Sequence, residues 1–302
     1  MDKIISKYNI IKSEQLNKGW SCDKKIILTD KRENKFLLRI TSAEFFEKKK
    51  AQFELLQKLN ALEINCSKPI EFGLLNDGSV YTILSWLDGT SAEESVANMT
   101  NEQAYNIGVE AGRTLKKLHS IPVSEQKVSW WQKYSEKIPK KIKNLKSCGL
   151  GFNEQERVIE YVCDNMYLVK NREQTFSHAD YHVGNLIVNN GKIGVIDFDK
   201  NTVADTYDDF KPFCWNVFAS EYFETGLING YFDNNPPPKF FKILALYAAE
   251  STLSHLPWSI KFGEKEIKTA YKVINSVLNW YDNFNLEIPT WYKGNNIFKE
   301  TR

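Results

Sequence analysis

Residues 176–200 read FSHADYHVGNLIVNNGKIGVIDFDK, and the reading of this stretch decides the fold. His178-Ala179-Asp180 opens a loop that closes at Asn185. Leu186-Ile187-Val188 is a short apolar run and predicts a strand. Asn189-Asn190-Gly191 is turn chemistry, because Asn and Gly tolerate the positive φ of a tight hairpin. Residues 193–196 predict a second apolar strand that delivers Asp197 at its end. The pattern is a hairpin with Asp180 and Asn185 before it and Asp197 after it, so the three can converge on one point.

Phosphoryl transfer needs such a set. One carboxylate orients, and can deprotonate, the attacking hydroxyl; an amide oxygen and a second carboxylate hold the metal ions that bridge the nucleotide phosphates. The protein-kinase signature is H-R-D-L-x-x-x-N followed by D-F-G. The Asp-to-Asn interval is the same here, from Asp180 to Asn185, and Asp197-Phe198 follows the hairpin. Ala179 stands where the signature has Arg, and Asp199 where it has Gly.

The form H-x-D-x-H-x-G-N followed by I-D-F resembles the aminoglycoside phosphotransferase and choline kinase family. Its members usually read HGDLHPGN, so Ala179 replaces a glycine and Val183 a proline. The resemblance implies an α+β, bilobal protein-kinase-like fold. An antiparallel N-terminal sheet with one long helix forms a nucleotide-binding lobe over residues 1–87. A mostly helical lobe over residues 88–302 carries the catalytic hairpin and the acceptor site. It also implies Asp180 as the catalytic residue, Asn185 and Asp197 as Mg²⁺ ligands, and ATP or GTP as co-substrate.

The N-terminal third agrees with that outline. Residues 8–16, 25–29 and 36–40 read as strands, with a polar turn over 17–23 and another over 30–34. A strand–turn–strand with Gly and small hydroxyl residues lets backbone N–H groups approach phosphate oxygens. In the family this loop covers the nucleotide, which implies that role for Ser21. Arg39 occupies the place where the resemblance expects a lysine on the third strand, aimed at the α- and β-phosphates. The helix predicted over 42–63 should supply its acidic partner, and the register leaves Gln52 and Glu54 as alternatives. Two residues turn a helix by about 200°, so both cannot serve. Residues 69–75 and 80–86 flank an Asn76-Asp77-Gly78 turn and predict a second hairpin. In the family its end is the hinge, whose backbone between Ser85 and Leu87 would hydrogen-bond the purine.

Beyond Asp88-Gly89 the chain reads as helices. Thr100-Asn101-Glu102-Gln103 is a capping box for a helix that ends at His119, a residue read as structural. Lys133, Lys137, Lys140, Lys141, Lys143 and Lys146 make a basic helix, read as a solvated face. His182 is read as packing within its loop. Asp205 and Asp209 match a family pattern that braces the catalytic loop. Asp199 is left between an approach to metal or substrate and exposure to solvent. Residues 203–261 carry Asp205, Asp208, Asp209, Glu221, Glu224, Asp233 and Glu250 against fewer lysines, an excess that suits a polycationic acceptor. The aromatic residues there, Trp258 among them, would equally wall a pocket for a more apolar one.

Composition narrows the functional classes. The chain has 302 residues, 42% of them hydrophobic, and a net charge of +2, which argues against a dedicated nucleic-acid binder. Five cysteines without a Cys-x-x-Cys pair fit a reducing cytoplasm. No apolar run is long enough to predict a membrane span. The function expected is transfer of a γ-phosphoryl group to a small-molecule hydroxyl, with an aminoglycoside antibiotic favoured as acceptor. A macrolide kinase, a metabolic kinase for choline or methylthioribose, and a nucleotide-binding pseudokinase are the alternatives.

Overall fold

The structure is a computed structural model, and it describes residues 2–16, 23–295 and 297–298. In chain order the elements begin with α1 (Asp2–Lys7), β1 (Ile10–Gln15), β2 (Lys24–Asp30), β3 (Lys35–Thr41), α2 (Phe46–Ala61), β4 (Pro69–Leu74) and β5 (Val80–Ser85). A two-residue strand β6 (Thr90–Ser91) and α3 (Ala92–Val96) lead to α4 (Asn101–His119), α5 (Trp130–Ser147) and α6 (Gln155–Asn165). Four short strands follow: β7 (Gln174–Ser177), β8 (Leu186–Asn189), β9 (Lys192–Val195) and β10 (Thr202–Asp205). The chain closes with α7 (Phe213–Ala219), α8 (Glu221–Tyr231), α9 (Pro238–Ser259) and α10 (Glu264–Trp280). None of the described helices is long and apolar enough to cross a membrane.

These elements gather into two compact units, Met1–Thr90 with Ile187–Asp199, and Ser91–Leu186 with Lys200–Arg302. The first is built on an antiparallel sheet in the order β1-β2-β3-β5-β4. Alternation along the strands puts Ile26, Leu28, Leu38 and Ile83 on one face, where they bury together with Ile4 of α1. Helix α2 buries Leu56 and Leu59, and its Phe46 and Phe53 rings pack on Phe72 of β4. The Asn190-Gly191 turn has φ of 49° and 75°, the paired positive values its residue types foretold. The hairpin it closes was expected with the C-terminal lobe, but residues 187–199 group with the first unit. The tie is local. Val195 N–H donates to the Asn65 carbonyl at 2.8 Å, and Asn65 Nδ2 donates to the Ile193 carbonyl at 3.1 Å.

The second unit is helical. The capping box forms as read: Gln103 N–H donates to Thr100 Oγ1 at 3.2 Å, and Thr100 N–H to Gln103 Oε1 at 3.0 Å. Helices α4 and α8 approach backbone to backbone. A Cβ on Gly108 would lie 2.1 Å from the Phe223 carbonyl oxygen, and one on Gly226 2.1 Å from that of Tyr105. Glycine at each contact is therefore a packing requirement, not a flexibility device. Helix α9 is buried on nearly all sides, from Phe240 and Phe241 to Leu253 and Leu256.

The lysines of α5 depart from the solvated face expected of them. Lys140, Lys143 and Lys146 are exposed, but Lys133 donates to Gln174 and the Val203 carbonyl. Lys137 and Lys141 instead pair with Glu250, a fully buried residue of α9. Lys211 reaches the same carboxylate at 3.2 Å. Burial alone would push the Glu250 carboxyl up; Lys211, Lys141 and Lys137 outweigh it and hold it well below the ordinary range. A buried carboxylate needs such partners, so the fold draws these cations inward.

Candidate active site

The loop that carries Asp180 and Asn185 belongs to the second unit and starts where β7 ends. Asp209 pins its backbone, accepting from His178 N–H at 2.8 Å and Ala179 N–H at 2.6 Å. His119, at the end of α4, donates from Nε2 to the same carboxylate at 3.0 Å, and its Nδ1 meets Tyr231 Oη at 2.8 Å. Burial works against a charge on Asp209, yet the His119 and backbone hydrogen bonds keep its carboxyl below the ordinary value. Asp209 thus stands as a brace and His119 as a structural residue. Asp205 is braced elsewhere, with Arg172 Nη2 at 2.8 Å and Tyr247 Oη at 2.6 Å.

Two further ties fix the loop. Tyr181 Oη donates to the Ala111 carbonyl at 2.8 Å, and Val183 N–H donates to Asn216 Oδ1 at 2.8 Å. Asn216 in turn donates to Glu224 at 2.7 Å. Burial pushes the Glu224 carboxyl well above its usual range, against the Asn216 hydrogen bond. His182 turns back on its own loop, its Nδ1 accepting from Gly184 N–H at 3.1 Å. Burial holds the imidazole below its ordinary value, and the neutral ring that results is what can accept this bond.

Within this frame Asp180 and Asn185 meet. Asn185 Nδ2 donates to the Asp180 carbonyl at 2.9 Å and to Asp180 Oδ2 at 3.1 Å. With Nδ2 engaged by Asp180, the Asn185 amide oxygen is left as the acceptor of that side chain. Lys200 Nζ also donates to Asp180 Oδ2, at 2.9 Å, and no sequence pattern singled it out. The Asp180 side chain keeps 25% of its surface exposed.

Ala179 has φ of +62°, a conformation that suits glycine. The family resemblance expects a glycine at this position. Left-handed backbone costs an L residue about 1–2 kcal/mol, and glycine's extra chain entropy offsets roughly 0.5–1 of that. Ala179→Gly is therefore expected to stabilise the protein by about 0.5–1 kcal/mol, read as a raised urea midpoint at unchanged slope. A lowered midpoint would mean that the methyl group has packing worth more than the strain.

The first unit holds the other candidate residues. Asp197 also has positive φ, +62°, a strained setting that functional residues often adopt. Arg39 is paired, but with neither Gln52 nor Glu54. Its Nη2 lies 2.6 Å from Asp199 Oδ2 and 2.6 Å from Asp23 Oδ2, and its Nε donates to Asp23 at 2.7 Å. Helix α2 contributes a cation instead, Lys49, whose Nζ is 2.7 Å from Asp23. Burial opposes the Arg39 charge, but Asp199, Asp23 and, more weakly, Asp197 outweigh it. Asp199 is thus neither solvated nor idle, and Arg39 with Lys49 holds its carboxyl below the usual range against burial.

At the end of β5, Ser85 N–H donates to the Lys68 carbonyl at 2.8 Å and Trp86 N–H to that of Lys35 at 3.1 Å. The Leu87 side chain packs against Gly194 of the hairpin. Ser21 lies outside the described residues.

The acids of residues 203–261 are mostly engaged with partners, Asp205, Asp208, Asp209, Glu224 and Glu250 within the fold and Glu221 and Asp233 in surface ion pairs. Asp205 pairs with Arg172, Asp208 with Lys211, and Asp209 with His119. Glu221 pairs with Lys293 and Asp233 with Lys116, while Glu224 accepts from Asn216 and Glu250 holds its three lysines. Simple charge counting therefore does not describe an anionic acceptor pocket.

Comparison with known proteins completes the picture. A search of curated sequences found no match. Among solved structures the chain is similar to a GDP complex of an aminoglycoside 2′-phosphotransferase-IIIa mutant, at 15% identity and TM-score 0.72, covering 94% of this chain and 97% of that one. It is also similar to a spectinomycin phosphotransferase in complex with ADP and spectinomycin, at 14% identity and TM-score 0.66, covering 91% and 93%. A third is an aminoglycoside phosphotransferase with ADP and hygromycin B, at 14% identity and TM-score 0.68, covering 92% and 97%. These likenesses bear out the α+β, protein-kinase-like fold. The model of the phosphotransferase enzyme family matches residues 12–240, and the chain belongs to that family.

Proposed function

We propose that the chain moves the γ-phosphoryl group of ATP or GTP to a hydroxyl of a small molecule, an antibiotic of aminoglycoside type. The observation that carries the reaction is the catalytic loop, where a partly exposed Asp180 is aligned by Asn185 and Lys200 on a backbone clamped by Asp209. Asp180 orients the acceptor hydroxyl and takes its proton as the oxygen attacks the γ-phosphorus. The new P–O bond forms to the acceptor, the bond to the β-phosphate oxygen breaks, and the nucleoside diphosphate leaves. Lys200, donating to Asp180, keeps that carboxylate in place.

Residues 1–87 serve as the nucleotide lobe in this reading. Arg39 steadies the phosphates, Ser21 lies in the covering loop, and the backbone between Ser85 and Leu87 receives the purine. Asn185 and Asp197 would hold Mg²⁺, which supplies charge neutralisation at the phosphate oxygens when bound. The donor chemistry suits a hard cation: the amide oxygen of Asn185, whose Nδ2 is already engaged by Asp180, and the carboxylate of Asp197. Cysteines without paired spacing favour the cytoplasm as the compartment.

The aminoglycoside acceptor rests on the family likeness and on neighbours solved with spectinomycin or hygromycin B. A second reading has its own support. Internal pairing of the 203–261 carboxylates favours an acceptor of lower charge and more apolar surface, such as a macrolide. A panel of gentamicin, spectinomycin, hygromycin B, a macrolide, choline and methylthioribose, assayed for diphosphate release, decides between them. Turnover on an aminoglycoside is expected. Turnover on the macrolide alone would move the assignment to the second reading. Nucleotide binding without turnover on any member would point to a pseudokinase.

A further inference from the structure

Four charged side chains of the first unit are packed into one cluster. Asp23 comes from the segment before β2, Arg39 from β3, Lys49 from α2 and Asp199 from the turn after β9. Their side chains are 5%, 13%, 8% and 20% exposed, so the cluster is largely withdrawn from water. Arg39 is heavily committed to the two acids. Its Nε and Nη2 serve Asp23, and its Nη1 and Nη2 serve Asp199 at 3.2 and 2.6 Å. Lys49 is not. Its ammonium makes one short contact, 2.7 Å to Asp23, and one long one, 3.4 Å to Asp199. An ammonium has three donors, so Lys49 retains capacity that Arg39 has largely used.

A stability role explains this arrangement poorly. Desolvating four charges costs several kcal/mol per ion before their attraction offsets it, and apolar side chains would pack α2 on the sheet at less expense. The position of Asp199 supplies the missing reason. It lies two residues beyond Asp197, so its grip on Arg39 and Lys49 fixes the chain at the point where Asp197 is held in left-handed backbone. The helix that was expected to bring an acid to the β3 cation brings a second cation, and the acid comes from the Asp197 segment.

Resting on the phosphotransfer reading above, we infer that Lys49 is a second phosphate-binding cation for the nucleotide, and that Asp199 is the positioning residue that holds Lys49 and Arg39 for it. On nucleotide binding Lys49 gives up its long contact to Asp199 and donates to a phosphate oxygen. Arg39 keeps both acids in register.

The test is calorimetric titration of the whole chain with ADP or GDP, whichever the wild type binds, and with the matching nucleoside. Lys49→Met should weaken diphosphate binding roughly 10- to 100-fold, the range of a hydrogen bond to a charged group, and leave nucleoside binding within about twofold. Lys49→Arg should recover most of the loss. Asp199→Asn should raise the nucleotide KM and leave the acceptor KM unchanged, with partial recovery in Asp199→Glu. Equal weakening of diphosphate and nucleoside, or no weakening in a folded Lys49→Met, would overturn the inference. Should Lys49→Met not fold, Lys49→Gln, which can still donate to Asp23, carries the same comparison. A wild type that binds neither diphosphate would sink the phosphotransfer reading itself, a result separate from either of these.

Discussion

Replacing Asp180 with alanine is expected to lower phosphoryl transfer by about 10²–10⁴-fold, the range for loss of a positioned general base. Nucleotide affinity should stay within roughly threefold, because the carboxylate is assigned to the acceptor hydroxyl and not to the phosphates. The local structure should tolerate the change. Asn185 Nδ2 loses the Oδ2 contact at 3.1 Å but keeps the Asp180 carbonyl at 2.9 Å. The loop backbone stays clamped, since Asp209 holds His178 and Ala179 through their N–H groups. Lys200 is 64% exposed and returns to water at little cost. Asp180→Asn should be nearly as damaging, because an amide cannot accept the proton although it fills the same space. Single-turnover rates, with diphosphate affinity measured in parallel, check both variants. A wild-type rate in either would remove Asp180 from the chemistry, and with it the support that the catalytic loop lends to the proposed function.

Local signals carried the sequence reading where they were strong. The Asn190-Gly191 turn, the Thr100 capping box and the alternating strands of the N-terminal sheet formed as their residue types dictate. Asp180 and Asn185 are five residues apart, and a tight loop brings them into contact. Pairings across long chain separation were not legible. Arg39 and Asp199 are 160 residues apart, and nothing periodic marks that ion pair, so the partner was sought on the nearest helix. The lysines of α5 look alike in sequence; only their partners, Glu250 for Lys137 and Lys141 and Gln174 with the Val203 carbonyl for Lys133, separate inward from outward ones. For the same reason the acids of residues 203–261 read as a surplus until their partners are in place. One missed feature was legible. Gly108 and Gly112 are four residues apart on α4, as Gly226 and Gly230 are on α8. That interval puts each pair on one face of its helix, with room for a neighbouring backbone.

That spacing leads to the largest expected effect on stability. Gly112→Ala places a Cβ 2.0 Å from the Leu227 carbonyl oxygen and 2.6 Å from the Tyr231 nitrogen. Both are backbone atoms of α8, so no rotamer change relieves the overlap and the two helices must separate. Alanine favours the helix over glycine by about 1 kcal/mol, but overpacking against a rigid neighbour costs about 1–3 kcal/mol and more where backbone must move. A net loss of roughly 2 kcal/mol or more is expected, seen as a lower denaturant midpoint. Activity should fall further than stability alone requires. The Ala111 carbonyl, next to the substituted residue, accepts the Tyr181 hydroxyl, and His119 at the end of the same helix donates to Asp209. A displaced α4 therefore pulls on two of the supports of the loop that carries Asp180. Leu227→Ala in the same chain is the decisive control. Truncating that side chain leaves its carbonyl in place, so it should restore nothing. Rescue by Leu227→Ala would show that side-chain packing, and not backbone approach, sets the distance between α4 and α8.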